Sequence, residues 1–124
     1  MAVSLIGAVA LLQTLFLGGE ELEPPDVAPP ATPYEYLYAE YPEVARRMDC
    51  VITRESRWTS GAYNRSSGAT GLAQFLWSTW LTTPQGKAGL SRFDPYANID
   101  GAVWLAKYSP PYWRHWTVVR LGYC

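Results

Sequence analysis

Apolar and polar positions change period several times along the chain, and each change marks an element. Residues 2 to 19, AVSLIGAVALLQTLFLGG, are almost entirely apolar. A run of that length suits a signal-peptide core and is short for a comfortable membrane span. Residues 20 to 33, EELEPPDVAPPATP, then hold five of the ten prolines and four acids, which predicts an extended, semi-rigid spacer. The expected division is an apolar signal or anchor segment over 1–18, an acidic Pro-rich linker over 19–33 and a folded domain over 34–124.

Within the domain the period is helical. YEYLYAEY predicts a turn or two of helix, and Pro42 suits the first position of a second helix reaching Glu55. At 100° per residue Val44, Met48, Val51 and Ile52 share one apolar stripe, and Glu55 falls inside it. TSGAYNRSSGATG reads as a loop or tight hairpin from its Gly, Ser and Asn content. GLAQFLWSTWLTTPQG places Leu72, Leu76 and Trp80 at helical spacing. FDPYANIDGAVWLAKY is the clearest helix, with Asp94 as N-cap, Pro95 in the first turn, and Ile99, Ala102, Val103 and Ala106 as the buried face. SPPYWRHWTVVRLGYC breaks at its prolines, then forms an aromatic cluster and one more helical turn. No segment alternates clearly over six residues, so a mainly α fold is expected.

Charge divides the chain in two. Residues 1–45 hold seven acids and no Lys or Arg, a charge of −7; residues 46–124 hold all ten bases and four acids, a charge of +6. A basic folded part points to an anionic polymer, with ordinary solubility charge as the plainer reading. Nucleic acid comes last, because the bases are scattered and no recognition motif accompanies them. Cys50 and Cys124 permit one pairing. It would tether the tail, contribute about 4 kcal/mol through the unfolded chain and imply an oxidising compartment; two free buried thiols are the alternative. The single histidine, His115, has no neighbouring ligand set, so no metal or cofactor is expected.

Glu55 is the residue that carries chemistry. It points where the apolar residues point, at a helix C-terminus, and both conditions disfavour its ionised form. The alternative is a frayed end with Glu55 in solvent or paired with Arg54, Arg57 or Arg65. Of the other acids in the basic part, Asp94 is explained as a cap, Asp100 lies on the adjoining face of the same helix, and Asp49 projects about 120° from Glu55.

RES around Glu55, SGATGLAQF at 67–75, STW at 78–80 and DPYANIDGAVWLA at 94–106, in that order, resemble the soluble lytic transglycosylase (SLT) family of the lysozyme-like superfamily. The resemblance covers roughly Tyr41 to Trp116. The cysteines and the C-terminal aromatic cluster resemble small secreted actinobacterial members, including the resuscitation-promoting type. The resemblance implies a small helical domain of the α+β lysozyme-like kind with a substrate cleft. It further implies cleavage of the β-1,4 bond between N-acetylmuramic acid and N-acetylglucosamine in peptidoglycan, with Glu55 as general acid and base and an anhydro sugar as product. Ser56 matches the family serine, and its hydroxyl could reach the carboxylate. Gln74 matches the glutamine of the cleft floor, and Phe75 beside it counts among the substrate-binding positions. Gly71 lets backbone approach the glycan or serves a turn, and Tyr63 either stacks on a sugar ring or packs in the core.

Two departures stand out. Trp77 stands where the family commonly has proline, and AKYSPPYW replaces the late Ala-Tyr-Asn motif, leaving Tyr108 or Tyr112 as the substitute tyrosine. Trp80 and Trp104 are assigned to the core; Trp58, Trp77 and Trp113 are left between core and sugar platform. The expected partner is the peptidoglycan glycan strand, with a membrane or assembly contact through residues 1–18 left open. The expected place is outside the cytoplasm, secreted or held at the envelope. A hydrolytic muramidase, a non-catalytic wall-binding module and a virion component are the competing readings.

Overall fold

The computed structural model describes residues 31–124; the apolar segment and the linker as far as residue 30 lie outside the described residues. Among the described residues six helices follow one another: α1 (Pro33–Glu40), α2 (Ala45–Ser56), α3 (Trp77–Trp80), α4 (Pro84–Lys87), α5 (Pro95–Tyr108) and α6 (Thr117–Arg120), with a 3-10 turn at Tyr112–His115 before the last. The fold is mainly α. Among the described residues the β component reduces to two isolated bridges, Tyr63 with Thr70 and Thr70 with Phe75.

Thr32 and Pro33, read from sequence as the end of the linker, are the cap and first residue of α1. The Thr32 hydroxyl accepts from the Glu35 N–H while the Glu35 carboxylate accepts from the Thr32 N–H, each at 3.1 Å, a reciprocal capping box. α2 starts three residues later than its proline suggests. The Val44 N–H bonds back to the Tyr41 carbonyl at 3.0 Å, so residues 42–44 form a turn and the helix proper begins at Ala45. The predicted stripe holds where it matters, with Met48, Val51 and Ile52 fully buried and Val44 packed at the core's edge.

α5 follows its sequence signals closely. The Asp94 carboxylate accepts from the Tyr96 and Ala97 N–H groups, Pro95 opens the helix, and Ile99, Ala102, Val103 and Ala106 are buried. Asp100 on its flank accepts hydrogen bonds from the Tyr36 and Tyr41 hydroxyls at 2.8 and 2.6 Å, tying α1 and the α1–α2 turn to α5. Burial and the Asp100 carboxylate push the Tyr36 phenol up to about 12.

The stretch GLAQF is not the start of a helix. Gly71 at φ +83° and Gln74 at φ +57° turn it sharply, Thr70 pairs with Phe75, and helix resumes only at Trp77. Consequently Leu72 and Trp80 are buried but Leu76 is exposed. A methyl group on Gly71 would lie 2.3 Å from both the Arg92 carbonyl oxygen and Asn98 Nδ2, so its glycine admits the protein's own chain.

Asn98 explains that crowding. Fully buried on α5, it accepts from the Ala73 N–H at 2.8 Å and donates to the Arg92 carbonyl at 2.8 Å. The Trp116 indole N–H holds the Ala73 carbonyl at 3.0 Å, and the Arg92 guanidinium bonds the Gly68 and Phe75 carbonyls. Both sides of Ala73 are thereby pinned just before Gln74. The tail is pinned as well, because Cys50 and Cys124 form a disulfide between α2 and the residue after Tyr123.

Two outcomes follow from these restraints. Asn98→Ala leaves the Ala73 N–H and the Arg92 carbonyl without their partner inside the core, and should lower the unfolding free energy by about 3 kcal/mol in urea titration. Reduction of the disulfide, or Cys50→Ser with Cys124→Ser, should lower it by about 4 kcal/mol in the same assay. A drop under about 1 kcal/mol for the latter would show that the other contacts of the tail suffice.

Candidate active site

α2 ends in two consecutive left-handed residues, Arg57 at φ +53° and Trp58 at φ +60°, and the Arg57 N–H closes the last turn onto the Thr53 carbonyl at 3.0 Å. Neither is glycine, so this abrupt ending stores strain. It leaves Glu55 in the final turn, and the loop that follows contributes Thr59, Ala62, Tyr63 and Asn64 to the lining of the groove beside it. Glu55, Tyr63, Asn64 and Gln74 line a groove of about 390 Å³ to which Arg54, Ser56 and Arg57 also contribute.

The Glu55 side chain is half-buried and has no hydrogen-bond or ion-pair partner among the described residues. Burial alone pushes its carboxyl above the ordinary value of 4.5, and neither flanking arginine pulls it back. The Arg54 guanidinium instead lies 4.8 Å from the centroid of the Tyr123 ring. The sequence alternative, in which Glu55 pairs with Arg54, Arg57 or Arg65, does not describe this structure.

The remaining acids of the described residues, exposed Glu40 apart, are committed elsewhere. Burial would raise the Asp49 carboxyl, but hydrogen bonds from Tyr38, Trp58 and Thr53 outweigh it and leave the group below its ordinary range. Asp94 caps α5, Asp100 holds two phenols, Glu35 serves the capping box, and Glu43 pairs with Lys107 at 2.9 Å. Among the described residues, Glu55 is the only carboxylate lining the groove.

Gln74 faces Glu55's groove in a left-handed conformation, with its side-chain N–H groups directed to the Gly71 carbonyl at 3.0 Å and the Ala62 carbonyl at 3.4 Å. Its Oε1 is left to accept from whatever occupies the groove. Tyr63 is 55% exposed, so its ring is an open surface rather than core packing. Ser56 lines the groove, but its hydroxyl donates back to the Ile52 carbonyl at 3.3 Å rather than to Glu55.

Other expected positions lie apart from the groove. Gly71 serves the turn described above. Phe75 is buried edge-to-face against Trp80 and, with Gln74, borders a separate small cavity of about 80 Å³ beside His115 and Trp116. Tyr108 is 62% exposed at the end of α5, next to Trp104, and neither it nor Tyr112 lines the groove; among the described residues Tyr63 is the tyrosine that does. Trp77 is exposed under Arg92, Trp58 is bonded to Asp49, and Trp104 and Trp113 pack part-buried against the core. From sequence, Arg57 is named only as a pairing partner for Glu55 and Asn64 is not singled out. The Asn64 side-chain Oδ1 accepts from the Ser66 and Ser67 N–H groups, a turn signature that its place in NRSSG could have announced.

No curated protein and no solved structure matches the chain significantly. The model of a protein family, described as the transglycosylase SLT domain, matches residues 41–123, which take in the helix-end glutamate, the loop after it and the helix that pins that loop. The chain therefore belongs to the transglycosylase SLT domain family, whose activity is in general that of lytic transglycosylases on peptidoglycan.

Proposed function

We propose that the domain cleaves the β-1,4 bond between N-acetylmuramic acid and N-acetylglucosamine, with Glu55 as sole general acid and base. The observation that carries this reading is an unpartnered, half-buried carboxyl facing an open groove, its acid form favoured by burial. A neutral acid can donate to the bridging oxygen as the C1–O bond breaks.

The positive charge left on C1 needs a nucleophile. Two-carboxylate glycosidases supply a second acid about 5 Å or more away, and each other acid of the folded part except exposed Glu40 already has a partner. The acetamido oxygen of the substrate takes that place, closing a ring onto C1. Glu55, now ionised, accepts the proton of the C6 hydroxyl while O6 displaces the acetamido oxygen. The product is a 1,6-anhydro sugar, and Glu55 regains its proton without water. Gln74 Oε1 would accept from a sugar hydroxyl or acetamide N–H, and the exposed Tyr63 ring offers a stacking face. The disulfide suits an oxidising compartment, which agrees with action at the wall outside the cytoplasm.

Glu55→Gln should lower the rate of wall cleavage by about a thousandfold while retaining binding to the glycan. Mass spectrometry of muropeptides released by the unaltered protein should find anhydro ends; reducing ends would mean hydrolysis, and unchanged lysis by the Gln variant would remove Glu55 from the chemistry.

A second prediction concerns stability. Because burial raises the folded-state pKa of Glu55 above 4.5, its contribution is full below that value and is lost as pH rises through the folded value. Glu55→Gln should therefore be more stable than the parent in urea at about pH 7.5, and the gap should close at about pH 4. An equal gap at both pH values would show that the effect is not ionisation.

A further inference from the structure

A second concavity, of about 800 Å³, lies on the outward face of α2, between that helix and the tail that the disulfide holds against it. Arg46, Arg54 and Arg57 line it, together with the rings of Tyr38 and Tyr123. Asp49 is the one acid in the lining, and its two oxygens are taken by Tyr38, Thr53 and Trp58. Arg46 and Arg57 have no acid partner among the described residues, where Lys107 with Glu43 is the single ion pair. Three guanidinium groups beside aromatic rings, facing no free carboxylate, are suited to planar anions, because the guanidinium fork pairs with carboxylates in two parallel hydrogen bonds.

This groove joins the one that holds Glu55, since Arg54 and Arg57 line both. We propose that it receives the peptide stem of the muramoyl residue being cleaved, with Arg46, Arg54 and Arg57 pairing with the stem's free carboxylates. The proposal rests on the glycan reading of the Glu55 groove. If the muramoyl C1 lies at Glu55, the lactyl group on C3 of the same ring starts the peptide within a few bonds of Arg54 and Arg57. From Glu55 back to Arg46 is nine residues of helix, about 14 Å at 1.5 Å each. An extended stem of five residues spans about 16 Å, enough to reach Arg46. The sugar would thus be read on one side of the end of α2 and its peptide on the other.

Arg46 is exposed, lies outside the Glu55 groove and has no partner to lose on substitution. The test compares glycan strands bearing peptide stems with the same strands stripped by an amidase, using the full chain and Arg46→Gln. The unaltered protein should show a lower KM on stem-bearing strands. Arg46→Gln should raise that KM about threefold, the effect of one exposed charge pair, with kcat unchanged and no effect on stripped strands. Equal KM values for the two substrates, or a change on stripped strands as well, would overturn the proposal. A binding arm separates it from the cleavage mechanism. Isolated stem tetrapeptide, titrated into Glu55→Gln protein, should shift the NMR signals of Tyr123 and of the arginine side chains, and Arg46→Gln should weaken that shift. If the peptide gives no shift, or a phosphodiester polymer displaces it at equal charge, the groove is not a stem site even where the wall is cleaved.

Discussion

Desolvation of one carboxyl, uncompensated by any partner, is the constraint around which the domain is arranged. Proteins ordinarily relieve a half-buried acid by giving it a cation or a hydrogen-bond donor. Here two arginines flank Glu55 in sequence and neither relieves it. Arg54 rests on the Tyr123 ring, and Tyr123 is held in place by the Cys50–Cys124 bridge beside it. Arg57 sits where the chain leaves the helix through the left-handed region, so its backbone has already turned away. The disulfide thus does more than tether a tail. It holds the aromatic ring that occupies Arg54, the cation next to Glu55 in the chain.

The second requirement is a floor opposite the acid, and it is built from the far end of the sequence. Asn98 on α5 and Trp116 after it grip the two sides of Ala73, so Gln74 is delivered to the groove by a helix it does not belong to. A buried amide with its partners satisfied can fix a loop that has little regular structure of its own. Among the described residues, two of the four non-glycine residues at positive φ, Arg57 and Gln74, line the groove, and a third, Trp58, adjoins it in the chain. Strain in that position is sustained only because the surrounding bonds over-determine it.

Much of this was legible in the sequence, and unevenly so. The stripe of Met48, Val51, Ile52 and Glu55 and the capped α5 could be read because one helix period and one cap decide them locally. The start of α2 was misplaced because a proline that suits a first turn also suits a turn before a helix. Leu72, Leu76 and Trp80 mimicked helical spacing, although Gly71 and Gln74 break it with backbone angles that side-chain patterning does not register. Asn98 went unnoticed because a polar residue amid an apolar face is visible only as an interruption until its partners, Ala73 and Thr70 far back in the chain and Arg92 nearer by, are known. The basic concavity was equally hidden, since it exists only once the tail lies against α2.

The central claim is that Glu55 keeps its proton where an ordinary glutamic acid has lost it. The direct measurement is an NMR titration of the Glu55 carboxyl carbon in the intact, disulfide-bonded protein, followed across the acid range. The account predicts a midpoint clearly above the ordinary glutamate value of 4.5. A midpoint at or below that value would contradict it, because the groove would then hold a carboxylate with no proton to give.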